Sequence, residues 1–340
     1  MATIKDVAKA AGVSLSTASY ALNDSAKIST ETKERIKRVA GELRYMPDGA
    51  ARNLKRKKTD TIGVFLGDIS GPFYGELIFG IQEVLSKKGI DMIVCCSHDG
   101  KAATAEKTLR EKLVDGAIVL TPFIDDEFIL SMAMTRAPIV VLDRELRGTK
   151  VYSVLIDNEK GGFLAASRLI SSGFRRIYYV SGPAASYDES KRFAGYRRAL
   201  FENGIVFEKS WRIEGDFTEE SGFAAMKTQI ERGEIPEAVF CANDEMAIGA
   251  LKGLREAGID VPGQASVVGF DDIRLSSYVT PRLTTIRRPI PEMGLLAAHV
   301  LLKAIAGENV GASVMLSVEL VERESCREGS SAAVGNETVP

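Results

Sequence analysis

Residues 3–23 read TIKDVAKAAGVSLSTASYALN, and their spacing predicts two short helices meeting at a tight turn. Thr3 with Asp6 three residues later forms a capping box, in which the hydroxyl accepts a backbone N–H and the carboxylate reaches back. Ile4, Val7, Ala8 and Ala11 then share one apolar face, and Gly12 stops the helix. Ser14 caps a second helix, Leu15 to Leu22, with Ala18, Ala21 and Leu22 inward. Leu15, Ser16, Thr17, Ser19 and Tyr20 are left for its start and outer side. Small residues at Ala8 and Gly12 permit a close crossing. Further on, Ser29 or Thr30 caps a third helix to about Arg44, with Ile36, Val39, Ala40 and Leu43 inward. The pattern is that of a helix-turn-helix with a supporting helix, or of a small packing module that touches no DNA.

Charge separates those two readings. The chain of 340 residues has a formal net charge of only -2, yet residues 1–58 hold 13 Lys/Arg against 6 Asp/Glu, and the remainder holds 31 against 40. A head of +7 on a body of -9 is expected where one end meets a polyanion. Lys5, Lys9, Lys33, Arg35, Lys37 and Arg38 are available for phosphates. Pro47 can then begin a short helix, too short to be helical alone in water. Within it Arg52, Lys55 and Arg56 supply cations, Ala50 and Ala51 allow a symmetry mate to approach, and Leu54 can wedge between base steps from the minor groove. A solvated basic linker is the alternative for this segment.

The length predicts two or three domains, and 45% hydrophobic with 26% charged residues describes a globular chain. No apolar run is long enough to cross a bilayer and the N-terminus lacks the apolar core of a secretion signal, which predicts a cytoplasmic protein. Cys95, Cys96, Cys241 and Cys326 have no C-x-x-C spacing and read as buried thiols, the first three within strand-like runs. With His98 and His299 far apart, no metal site is expected.

From Thr61 onward, apolar runs alternate with helical stretches: 62–66, 92–96, 117–120, 139–142, 154–156, 177–180, 238–241, 267–270 and 283–286. Such alternation predicts parallel sheets with helices on both faces. Nine strands exceed one small sheet, and the polar junction Asp157-Asn158-Glu159-Lys160 falls near the middle. The predicted fold is therefore an all-α helix-turn-helix head followed by an α/β body of two doubly wound parallel-sheet lobes. Ligands of such sheets bind beyond the carboxyl ends of strands. Asp68, Thr121, Asp143, Asn243, Asp244, Asp271 and Asp272 stand at those ends, suited to a polyhydroxylated ligand or simply to helix capping.

Enzyme signatures are missing. Gly67, Gly71 and Gly75 do not form G-x-G-x-x-G, and neither a phosphate-binding P-loop nor G-x-S-x-G occurs. No catalytic residue, metal ligand or cofactor is assigned. A carboxylate-based enzyme of sugar metabolism and an exported solute receptor are the competing classes; the second has no use for a basic head.

These residues together resemble the lactose/galactose-repressor family of bacterial transcription regulators. The resemblance runs from about Thr3 to Glu322. It is carried by Ile4-Lys5-Asp6-Val7-Ala8, Ala11-Gly12-Val13-Ser14, Ser19 and Leu22-Asn23; by Tyr45, Pro47, Ala51-Arg52 and Leu54; by Asp157-Asn158 with Gly161; by Arg192 with Gly195-Tyr196; and by Asn243-Asp244, Gly269-Phe270-Asp271-Asp272 and Leu283-Thr284-Thr285-Ile286. It implies a homodimer reading a near-palindromic operator. The DNA contacts it implies are Leu15, Ser16, Thr17, Tyr20 and Asn23, with Arg52, Leu54 and Lys55 in a hinge. It also implies a body similar to periplasmic sugar-binding proteins, with a small sugar or sugar-acid effector held by Phe73, Asp143, Arg192, Phe217, Asn243, Asp271 and Arg288. Arg288 departs from the neutral residue expected for a plain sugar and points either to an acidic ligand or to an acidic neighbour. The expected divisions are 1–46 for the head, 47–60 for hinge and linker, 61–324 for the body and 325–340 for a disordered tail. A regulator acting mainly through a protein corepressor is the variant reading. The tail has no leucine heptad, so a dimer is expected rather than a tetramer.

Overall fold

The computed structural model describes residues 2–46, 58–97, 100–184 and 186–328. The chain folds as two compact units, Met1–Thr59 and Asp60–Pro340.

The first unit holds α1 (Ile4–Ala10), α2 (Leu15–Leu22) and α3 (Thr30–Glu42). Each starts on the expected cap: Thr3 and Asp6 form the reciprocal box, Ser14 accepts the Thr17 amide, and Ser29 accepts the Thr32 amide. Val7, Ala11, Ala21, Ile36 and Ala40 form the small core between them. Gly12 has φ +63, the left-handed conformation that ends a helix, and nothing would obstruct a Cβ there. Its role is to turn the backbone and not, as expected, to let the helices approach. Leu43, predicted inward, is exposed beyond the last turn of α3. Lys33 and Lys37 also depart from expectation. Their ammonium groups hold the loop after α2, on the Asp24 carbonyl at 3.1 Å and the Asp24 carboxylate at 2.5 Å. The hinge residues Arg52, Leu54 and Lys55 lie outside the described residues.

The second unit begins with β1 (Thr61–Leu66), α4 (Pro72–Lys87), β2 (Asp91–Cys96), α5 (Ala103–Arg110), β3 (Gly116–Leu120), α6 (Asp126–Thr135), β4 (Ile139–Leu142) and β5 (Val151–Ile156). The chain then crosses into a second lobe of α7 (Asn158–Ser171), β6 (Tyr178–Ser181), α8 (Tyr187–Glu202), β7 (Arg212–Glu214), α9 (Glu219–Glu231), β8 (Ala238–Cys241), α10 (Asp244–Glu256), β9 (Ser266–Asp271) and β10 (Thr284–Arg287). It returns for α11 (Ile290–Ile305) and β11 (Ser313–Leu316), and crosses again to β12 (Glu319–Val321). The sheets run β11-β5-β4-β3-β1-β2 and β12-β10-β9-β8-β6-β7. Every pairing is parallel except β12 on β10. Ile62 opposite Gly116 and Thr284 opposite Val268 set the register of the central strands.

All nine apolar runs are strands. The three that the sequence reading lacks, β7, β11 and β12, are edge strands of three or four residues. An edge strand is covered on fewer sides, so it needs no continuous apolar run, and these three, unlike the edge strand β2, are too short to show one. The same effect corrects the cysteines. Cys241 and Cys326 are buried, but Cys96 is exposed and Cys95 only half-buried, because β2 is the edge of its sheet.

The expected tail also needs correcting, because its first residues belong to the second lobe. Ser325 is fully buried, donates to the Val267 carbonyl at 2.6 Å and accepts the Thr284 amide at 2.8 Å. The Arg327 carbonyl accepts from Arg168 at 2.9 Å. Residues from 329 onward lie outside those described.

Candidate functional site

The carboxyl ends of the strands of both sheets face a cleft of about 590 Å³. Phe73, Asp143, Arg192, Phe217, Asn243, Asp271 and Arg288, spread over more than two hundred residues of sequence, all line it. Asp68 and Thr121 line it as well. Asp244 and Asp272 do not: Asp244 is buried under Thr285 and the Ile273 amide, and Asp272 pairs with Arg287 and Arg323.

Arg192 is placed by the crossing of α7 over α8. Gly162 leaves room for the Arg192 carbonyl, which would stand 2.0 Å from a Cβ, and Gly195 does the same for the Glu159 carbonyl at 1.9 Å. No larger residue permits that approach. The guanidinium, 1% exposed, then donates to Asn158 Oδ1 at 2.9 Å and to the Ala242 carbonyl, and lies 3.9 Å from the centre of the Phe270 ring. Burying a charge so deeply requires this degree of pairing.

Arg288 follows β10 and crosses toward the first lobe. It donates through Nη2 to Asp143, and its Nη1 is 3.4 Å from Asp271 and 3.7 Å from Asp188. Its guanidinium carbon sits 4.6 Å from the centre of the Phe73 ring. Although burial opposes its charge, the carboxylates of Asp143, Asp271 and Asp188 raise its pKa above the ordinary value. Burial pushes Asp143 up to about 7 against the pull of Arg288, and pushes Asp271 up against Arg192 and Arg288. The acidic neighbour that the sequence allowed for Arg288 is present three times over, in Asp143, Asp271 and Asp188, and the side chain still lines the cleft.

The backbone is strained at the same place. Asp143, Phe217 and Asp271 have φ of 51, 73 and 118, in the region that side chains other than glycine seldom adopt. Each aims its side chain from a strand end or loop toward the cleft instead of along the strand.

Asn243, expected as a ligand contact, lines the cleft and also holds its wall. Its Oδ1 caps α10 by accepting the Met246 amide at 3.0 Å, and its Nδ2 donates to the Phe217 carbonyl at 2.8 Å. Both ends of the amide are therefore engaged in holding the cleft wall.

Four lining carboxylates, Asp126, Asp188, Asp216 and Glu245, escaped the sequence reading. Asp188 lies four residues before Arg192, a helical pairing that spacing alone could have flagged. Glu245 stands in the first turn of α10, where an acid is ordinarily explained by the helix dipole. Burial and the negative charges of Asp271 and Asp68 push Glu245 up to about 7.

In the first unit, Leu15, Ser16 and Tyr20 are exposed on α2. The Lys27 ammonium lies 5.6 Å from the centre of the Tyr20 ring. Thr17 and Asn23 are engaged locally, Thr17 with Ser14 at 2.8 Å and Asn23 with the Ser19 carbonyl at 2.7 Å. A helix preceded by a sharp turn and exposing such a face has the geometry of a major-groove reader.

Residues 3–48 match the family described as bacterial regulatory proteins, lacI family, and residues 166–326 match a periplasmic binding protein-like domain. The chain is 36% identical over 334 residues to the HTH-type transcriptional repressor PurR of Edwardsiella ictaluri, covering 97% of this chain and 98% of the relative. Among solved structures it resembles the lac repressor dimer bound to operator and the anti-inducer ONPF, with a TM-score of 0.78, 29% identity and coverage of 95% and 98% of the two chains. It also resembles the transcriptional regulator CelR-cellobiose complex, with a TM-score of 0.71, 31% identity and coverage of 96% and 100%. The helix-turn-helix head, the two parallel-sheet lobes and their order are those of DNA-binding repressors under effector control, and this chain belongs to the lacI family of bacterial regulatory proteins.

Proposed function

We propose that this protein represses transcription as a cytoplasmic homodimer on a near-palindromic operator, and that a small polyhydroxylated effector in the interlobe cleft controls it by binding, without turnover. The observation that carries the reading is the convergence of Phe73, Asp143, Arg192, Phe217, Asp271 and Arg288 on one cleft, with Asn243 fastening its wall. Carboxylates beside aromatic faces accept hydroxyl protons and stack on the apolar side of a sugar ring. Leu15, Ser16 and Tyr20 would meet base edges from α2, and Arg52, Leu54 and Lys55 would contact the minor groove and its phosphates.

Support for the dimer comes from Phe79 on α4 and Ile93 on β2, large apolar side chains left 63% and 43% exposed on elements that pack together. Operator and effector are then linked through the lobes, with a coupling of about 1 to 3 kcal/mol, felt equally by both ligands.

The test is a thermal-shift screen of the full-length protein against sugars, followed by operator anisotropy with the sugars that raise Tm. The reading requires a shift in operator affinity together with quantitative recovery of the unaltered sugar. Consumption of the sugar would make the protein an enzyme, and operator affinity indifferent to every bound sugar would remove the control.

A further inference from the structure

We propose that Asp188 sets the charge selectivity of the interlobe cleft. With Asp143 and Asp271 it sets three carboxylates against two buried guanidiniums, so that the cleft takes an uncharged polyhydroxyl ligand and rejects the carboxylate and phosphate derivatives of the same compound. This rests on the reading of the cleft as the effector site.

A free guanidinium in a cleft is a receptor for carboxylate or phosphate. Neither Arg192 nor Arg288 is free. A single oxygen of Asp188, Oδ2, stands 3.7 Å from Arg192 Nη2 and 3.7 Å from Arg288 Nη1, and Asp271 Oδ1 stands 3.6 Å and 3.4 Å from the same two nitrogens. Asp143 takes the remaining Nη2 of Arg288. Three carboxylates thus surround two cations. The third guanidinium of the lining, Arg144, is engaged by Asp126 at 2.7 Å. Asp68 and Asp216 also line the cleft, are held below the ordinary carboxylate range by hydrogen bonds from Ser70 and Thr218, and pair with no cation among the described residues. An entering anion therefore meets an excess of negative charge in a partly dehydrated space, where repulsion is stronger than in water.

A second observation concerns hydrogen bonding. Arg288 Nε and Asp143 Oδ1 are buried without a partner among the described residues, on side chains that line the cleft and are 4% and 3% exposed. One is a donor and the other an acceptor. A hydroxyl can serve either, accepting from the guanidinium or donating to the carboxylate. An ionised carboxylate or phosphate can serve only the guanidinium and repels Asp143. Without Asp188 only Asp143 and Asp271 would face the two arginines, the cluster would lose its surplus negative charge, and the preference would move toward the anion.

The test uses full-length protein, wild type and Asp188→Asn, titrated calorimetrically with matched sets: glucose, glucuronate and glucose 6-phosphate; galactose, galacturonate and galactose 6-phosphate; ribose and ribose 5-phosphate. At least one neutral sugar should bind the wild type about tenfold or more tightly than its anionic derivatives, and Asp188→Asn should narrow that ratio by about tenfold. A merely structural role for Asp188 would weaken both members of a set alike and leave the ratio unchanged, which overturns the proposal. So does an anion that binds the wild type as well as its neutral parent, or a panel in which no neutral member binds. Asp188→Ser repeats the measurement should the asparagine variant fold poorly. Phe217→Ala separates the two readings: a preferred anion weakened by Phe217→Ala overturns the charge selectivity alone, whereas a sugar that ignores Phe217→Ala binds elsewhere and the cleft reading falls too.

Discussion

Asn243 fastens Phe217 to the cleft wall, donating through Nδ2 to the Phe217 carbonyl at 2.8 Å while its Oδ1 caps α10. Asn243→Asp keeps the capping oxygen and removes the donor. It should leave Tm within a few degrees of wild type and lower affinity for any sugar found to bind, because Phe217 would lose the bond that supports its left-handed backbone. Asn243→Ala removes both and should cost an additional helix cap, about 1 kcal/mol. Equal affinities for wild type and Asn243→Asp would show that the bond does not position the ring.

The outer face of α2 gives a contrast between reading and scaffolding. Tyr20, 43% exposed, should alter operator preference when replaced by alanine, as judged by selection from a randomised duplex pool. Lys33→Ala should instead destabilise the head, since its ammonium bonds the Asp24 carbonyl. The salt slope of nonspecific binding should change by less than the roughly 0.9 expected for a lost phosphate contact. A slope change of that full size would place Lys33 on DNA.

Glu245 makes stability depend on pH. Its folded pKa, about 7, lies above the ordinary carboxylate value, so the folded state binds the proton more tightly than the unfolded chain does. Its contribution to stability is greatest below the unfolded pKa and is lost as pH rises to about 7. Glu245→Gln removes this titration. The Tm of the variant relative to wild type should rise between pH 5 and pH 8; a constant difference would mean that the two states bind the proton equally.

Ser325 tests where the body ends. Its hydroxyl donates to the Val267 carbonyl and accepts the Thr284 amide, joining residues 58 and 41 positions away. Ser325→Ala leaves that buried amide without its acceptor and should destabilise the fold by about 1 to 3 kcal/mol in denaturant titration. A change near zero would return this residue to a dispensable tail.

Much of the molecule was legible without its three-dimensional structure. The caps at Thr3, Ser14 and Ser29 act over three residues, and the apolar strands other than β2 reflect burial on both faces of a sheet, so local sequence carries their signal. The polar strand ends marked the cleft because parallel sheets bring their carboxyl ends to one side.

What only the tertiary structure decided was the partner of each charge. Arg288 and Asp143 are 145 residues apart in sequence, and nothing local distinguishes an arginine that awaits an anionic ligand from one already engaged by three carboxylates. The same holds for Asn243, whose amide fastens the cleft wall, and for Ser325, which closes a lobe from within an apparently featureless polar stretch. Sequence determines which groups exist and which backbone elements carry them. Electrostatic pairing depends on distance through space, and the crossing of the chain between two sheets sets that distance.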